Sequence, residues 1–211
     1  MFAPAFNLIL RCAVLAALLA GSSTMALAAD PLGYHVEIDT SQFSGTGFLD
    51  FAFIAGNSPA PGASATLSAF TGAFGALVAQ EGEVTGSLPG TLVFGNGGAY
   101  NDWYHQVTLG GKFAFDIAFS GAFLTTAGNA GTTFGVGLFD GSSYLGNPDG
   151  NLVQFELMPI AGGAPASISA ATYASIAAIS AVPEASQWLM LTGGMALLGL
   201  ALRRRRTLPA V

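Results

Sequence analysis

His35 and His105 are the only side chains of this 211-residue sequence that titrate near neutral pH unaided. His105 lies in Asp102-Trp103-Tyr104-His105-Gln106, where an acid, an imidazole and two aromatics invite comparison with a catalytic triad or a metal site. Neither is completed. No serine occupies a nucleophile-elbow motif, and no His-Glu-x-x-His or paired-cysteine spacing occurs. On the alternation Trp103, His105, Val107 the imidazole can equally be a hydrogen-bonded side chain on the inner face of a strand, and His35 is expected on an outer face. The carboxylates are scattered, and nothing in the sequence fixes two of them across a cleft as glycoside hydrolysis requires. The expectation is a protein that is not an enzyme.

Two binding chemistries are spelled out more fully. The stretch 140–151 holds Asp140, Asn147, Asp149 and Asn151 among glycines, and Ca²⁺ takes six to eight oxygens of the kinds these residues offer. The spacing is not that of an EF-hand, and Asn147-Pro148-Asp149-Gly150 is also simply a good turn, which is the preferred assignment. No other cofactor is expected. Tyr100, Trp103 and Tyr104 sit near acids and amides, a combination that can stack on sugar rings and hydrogen-bond their hydroxyls. Core burial of Trp103 is the preferred alternative, because a large aromatic contributes most when removed from water.

Charge limits the partners. Between Asp30 and Val182 only Lys112 is basic, against eleven Asp and Glu residues. Such a surface repels phosphate backbones and excludes nucleic acid. It favours cations, or simply keeps a Gly- and Ala-rich domain soluble.

The elements that must position these residues are strands. In Lys112-Phe113-Ala114-Phe115-Asp116-Ile117-Ala118-Phe119, the apolar residues at 113, 115, 117 and 119 share one face, and Lys112 and Asp116 the other. Similar alternation marks 34–38, 49–53, 132–138 and 152–157, and Gly-, Asn- and Pro-rich turns separate these runs. Many short strands without an amphipathic helix predict an all-β antiparallel sandwich or jelly roll over residues 30–168, with phenylalanines between two sheets. In the Gly/Ala/Ser-rich stretch 57–80, Ala65, Leu67 and Ala69 suggest a modest edge strand. Residues 169–181, rich in Ala, Ser and Ile, read as a linker with room for a short helix.

Both ends carry export signals. Arg11, the apolar run 12–20 and the small-residue exit Ala26-Leu27-Ala28-Ala29 have the order of a secretory signal peptide, assigned to residues 1–28 and cut by signal peptidase after Ala28 or Ala29. The only cysteine, Cys12, lies inside it, so the body has no disulfide. At the other end, Val182-Pro183-Glu184-Ala185-Ser186 precedes an apolar stretch, 188–202, and the cluster Arg203, Arg204, Arg205 and Arg206. About sixteen apolar residues cover roughly 24 Å as a single helix, marginal for a bilayer core of about 30 Å. Trp188 at one edge and the arginines at the other favour an inner-membrane span with the cluster in the cytoplasm.

The motif, apolar stretch and arginine cluster of segment 182–206 together resemble the PEP-CTERM sorting signal. Pro183-Glu184-Ala185 stands where Pro-Glu-Pro is usual. The resemblance implies a Gram-negative bacterium, recognition of Pro183 and Glu184 by exosortase, and removal of the tail after only transient contact with the inner membrane. It also implies a product at the cell surface or in an extracellular, exopolysaccharide-bearing matrix or biofilm. The body is similar to a group of short PEP-CTERM proteins through Asp39-Thr40-Ser41, the stretch 84–90 and Gly110-Gly111-Lys112-Phe113-Ala114-Phe115. A structural or matrix-associated role is expected, with a carbohydrate- or Ca²⁺-binding module as the alternative.

Overall fold

The computed structural model describes residues 32–56, 60–98, 100–182 and Met195. The expected signal peptide with Ala26, Ala28 and Ala29, and the tail from Pro183 onward apart from Met195, lie outside the described residues. The chain divides into two units, residues 1–30 and 31–211, and everything below concerns the second.

The described residues form twelve strands and one short 3₁₀ turn, Ala122–Leu124. The strands are β1 (Gly33–Asp39), β2 (Gly45–Ala55), β3 (Ala63–Thr71), β4 (Phe74–Glu81), β5 (Val84–Gly86) and β6 (Leu92–Gly95). They continue with β7 (Asn101–Leu109), β8 (Lys112–Gly121), β9 (Thr132–Phe139), β10 (Val153–Met158), β11 (Ser167–Thr172) and β12 (Ala177–Ala181). They make two antiparallel six-stranded sheets, ordered β12-β1-β8-β3-β6-β5 and β11-β10-β9-β2-β7-β4. Within this order β1 pairs with β8, β2 with β7 and β3 with β6, so partners become closer in sequence toward the middle of the first eight strands.

Alternation produces this arrangement. In β8, Phe113, Phe115, Ile117 and Phe119 are buried while Ala114 and Asp116 are not. Inward rings from the two sheets meet: Phe51 of β2 packs edge-on against Phe115 of β8 at 5.5 Å between centroids, and Tyr34 of β1 lies 5.0 Å from Phe155 of β10. Phe134 of β9 touches Phe53, Phe94, Phe119 and Phe155. Each fully buried phenylalanine contributes roughly 1.5–3 kcal/mol. The body has no cysteine, so this aromatic layer replaces covalent staples.

Two expectations are corrected. The stretch holding Ala65 and Leu67 is a central strand, because β3 lies between β8 and β6. Its alternation breaks at Ala69, which has φ +53° and is exposed, so that Phe70 turns inward against Phe115. Residues 169–181 are not a linker: they complete β11 and form β12, which extend the sheets beside β10 and β1. Their small side chains gave little periodicity, yet Ile168 and Ala174 are buried. At the β5–β6 hairpin, Gly86 is required: its φ is +106°, and a Cβ there would come within 1.9 Å of the Thr91 carbonyl oxygen.

Candidate functional site

The inward face of β2 is apolar and that of β7 carries Trp103, Val107 and Leu109 together with the buried polar residues Asn101 and His105, so the alternate residues of both strands are displayed on the outer face of the second sheet. Register fixes what meets there. Asp50 of β2 lies opposite Tyr104 of β7, and Ala52 lies opposite Asp102, which makes Asp50 and Asp102 diagonal neighbours. On the flank of Asp102 stands Glu81 of the edge strand β4. On the other flank β9 places Gly137 beside Asp50 and Gly135 beside Ala52, and the Phe139 ring and the Asn151 side chain lie over these two glycines. Aromatics border this face. Phe48 stacks on Tyr104 at 5.2 Å and 13°, and Phe139 meets Tyr104 edge-on at 6.0 Å and Tyr144 at 4.3 Å.

The polar centre is electrostatically loaded. Asp102 is only 7% exposed, and Oδ1 of both Asp50 and Asp102 is buried with no hydrogen-bond partner. Two ionised carboxylates are acceptors only and cannot satisfy one another; if one holds a proton it donates to the other. Burial first, then the hydrogen bond with Asp102 and its charge, push the Asp50 carboxyl up to about 8. Tyr100, 45% exposed, is pushed up to about 12 by burial, by the charges of Asp102 and Asp50, by its hydrogen bond to Asp102 and by Glu81. Burial and the same two aspartates raise Tyr104 as well. The structure thus brings together two carboxyls that are 52 positions apart in sequence. No spacing signal could reveal them, because the proximity depends on β2–β7 register alone.

The sequence-expected aromatic trio is split. Tyr100 and Tyr104 belong to this outer cluster, whereas Trp103 points into the core, 3% exposed, with Nε1 lacking a hydrogen bond. His105 is buried beside it, stacked on the indole at 6.2 Å and edge-on to Phe74. Neither ring nitrogen has a hydrogen-bond partner of good geometry. Burial lowers the His105 pKa, partly opposed by the backbone at Gly75. His105 thus lies on the inward face among core rings and not in the outer cluster.

The stretch 140–151 is spent on its own turns. Asp140 Oδ1 accepts from the Ser142 amide and hydroxyl and from the Ser143 amide, which holds its pKa down. Asn147 accepts from the Asp149 amide and donates to the Asn151 carbonyl, and the Asn151 amide donates to Gln154. Among the described residues no group of three or more His, Cys, Asp or Glu side chains is placed to hold a metal ion. On the first sheet His35 lies outward, its Nδ1 2.6 Å from Asp116 Oδ1, and Lys112 pairs with Glu37. These side chains are each more than two-fifths exposed, and the pairs contribute little to stability.

No family model matches the chain, and neither a curated protein nor a solved structure matches it significantly.

Proposed function

We propose that this chain is an exported protein of the bacterial cell surface or extracellular matrix, sorted by exosortase through a PEP-CTERM-type tail and structural rather than catalytic in role. The observation that carries it is the order Val182-Pro183-Glu184-Ala185-Ser186, apolar stretch and Arg203 to Arg206, beginning directly after Ala181, the last residue of β12. A generic anchor explains the apolar stretch and the arginines but does not require Pro-Glu before them. The body is a jelly-roll β-sandwich in this reading. Support comes from the ring contacts between the sheets and from the nested pairs β1–β8, β2–β7 and β3–β6, which are those of one long antiparallel hairpin rolled upon itself. Signal peptidase and exosortase are its processing partners, the inner membrane holds it transiently, and exopolysaccharide is its surroundings.

The test is a full chain carrying Pro183→Ala and Glu184→Ala, expressed in an exosortase-bearing host. It should keep its tail, run at higher mass than the processed form and stay with the inner membrane. If its mature mass and surface location match those of the unsubstituted chain, sorting through this motif is wrong.

A further inference from the structure

We infer that the outer face of the second sheet, around Phe48, Tyr104, Asp50 and Asp102, is a binding site for a saccharide that carries no acidic groups. The inference narrows the matrix reading to a ligand class, but it concerns the folded body and does not depend on the sorting tail.

Three independent features converge on it. The first is unmet hydrogen-bonding demand: Asp102 is more than nine-tenths buried, and its Oδ1, like that of Asp50, lacks a partner. A buried acceptor left unpaired is costly, and a hydroxyl or amino donor from a ligand relieves that cost. The second is the aromatic border. Phe48 and Tyr104 stack beside the aspartates, and Tyr100 adds an exposed ring two residues before Asp102. Rings of this kind pack against the C–H faces of a pyranose while neighbouring carboxyls take its hydroxyls. The third is what covers β9. The Asn151 side chain sits over Gly135 and the Phe139 ring over Gly137, so an amide and an aromatic edge face a ligand beside Asp50.

Charge selects within the sugars. Glu81 stands beside Asp102, and a single lysine offsets the eleven acids between Asp30 and Val182. Uronate, sulfate or phosphate groups meet repulsion there, whereas neutral hydroxyls and amino groups do not. The pair Asp50–Asp102 can also hold a proton and so present one donor and several acceptors, which matches the mixed character of a diol.

Titration calorimetry on the purified full chain with three probes tests this: a neutral glucan oligosaccharide, a glucosamine oligomer and an alginate oligomer. At least one of the first two should bind in about the 0.1–1 mM range and the alginate should not. Tyr104→Ala and Asp102→Asn should each weaken binding about ten-fold or more, and His35→Ala, on the other sheet, should leave it unchanged. Asp102→Asn keeps the shape of the side chain and carries the test if Tyr104→Ala fails to fold. Absence of binding to all three probes overturns the inference, as does a preference for alginate or undiminished binding by a folded Asp102→Asn chain. Mislocalisation of the Pro183/Glu184 variant bears on sorting alone, so the two proposals fail separately.

Discussion

The amide of Val182 donates to the carbonyl oxygen of Gly33 at 2.9 Å, which ties the last described residue of the body to the first residue of β1. The ladder continues inward from this bond, with Tyr34 opposite Ala181 and Ile38 opposite Ala177. The folded body therefore runs right up to the residue preceding Pro183, with no spacer between β12 and the Pro-Glu motif.

Two truncations should consequently behave differently. A chain ending at Val182 keeps every paired strand found among the described residues and should melt within about 2 °C of the full chain. One ending at Ala166 loses β11 and β12, exposes the edges of β10 and β1, and gives up the burial of Ile168 and Ala174. Loss of several kcal/mol from a domain of this size lowers the melting temperature by roughly 10 °C or more. Calorimetry decides it: equal melting temperatures for the two chains would mean that β11 and β12 contribute nothing to the fold.

The core has a natural probe in Phe134, fully buried and in contact with four other rings from both sheets. Phe134→Ala should cost about 3–5 kcal/mol, through lost transfer energy and through a cavity that neighbours anchored on two sheets cannot close. Urea titration reads this as a lower midpoint. A shift worth less than about 1 kcal/mol would show that the sheets collapse onto the vacancy.

Legibility in the sequence follows side-chain size. Period-two phenylalanines made β8 and the inward face of β10 plain, because a large apolar residue at every second position suits only a half-buried strand. The stretches 63–71 and 167–181 were obscure for the converse reason. Alanine and serine alternate without contrast, and the bulge at Ala69 shifts the inward position to Phe70. His35 was assignable to an outer face because strong apolar neighbours bracket it, and it is found there, paired with Asp116. The Asp50–Asp102 pair depends on which strands become neighbours and in what register, and local composition holds neither.

His105 should make the body acid-sensitive. Its pKa is lowered by burial, so the folded chain keeps the imidazole neutral while the unfolded chain protonates it near 6.5. Stability is therefore complete above that unfolded value and is lost as pH falls from there toward the folded one. Its ring nitrogens also lack a hydrogen-bond partner of good geometry beside Trp103 and Phe74. His105→Leu should accordingly be neutral or stabilising by about 1 kcal/mol at pH 7, and more so at pH 5. Urea midpoints at the two pH values check this, and a variant weaker than the parent by the same margin at both would refute it.

Asp50 acts in the opposite direction. Its folded-state carboxyl is pushed up to about 8 by burial and by Asp102, against an unfolded value of 3.8. Between these values the folded chain holds a proton that the unfolded chain has released, so stability is fully present below the unfolded value and is lost as pH rises through the folded one. Asp50→Asn replaces the carboxyl with an uncharged group of the same shape that can donate to Asp102 at every pH. The variant should match the parent near pH 4 and exceed it by roughly 1–3 kcal/mol near pH 8, the range expected when an unsatisfied buried acceptor is relieved. Denaturation at a series of pH values reads the difference directly. Parallel curves for parent and variant from pH 4 to 8 would mean that the two aspartates do not share a proton, and the hydrogen-bonding demand assigned to the outer face would go with it.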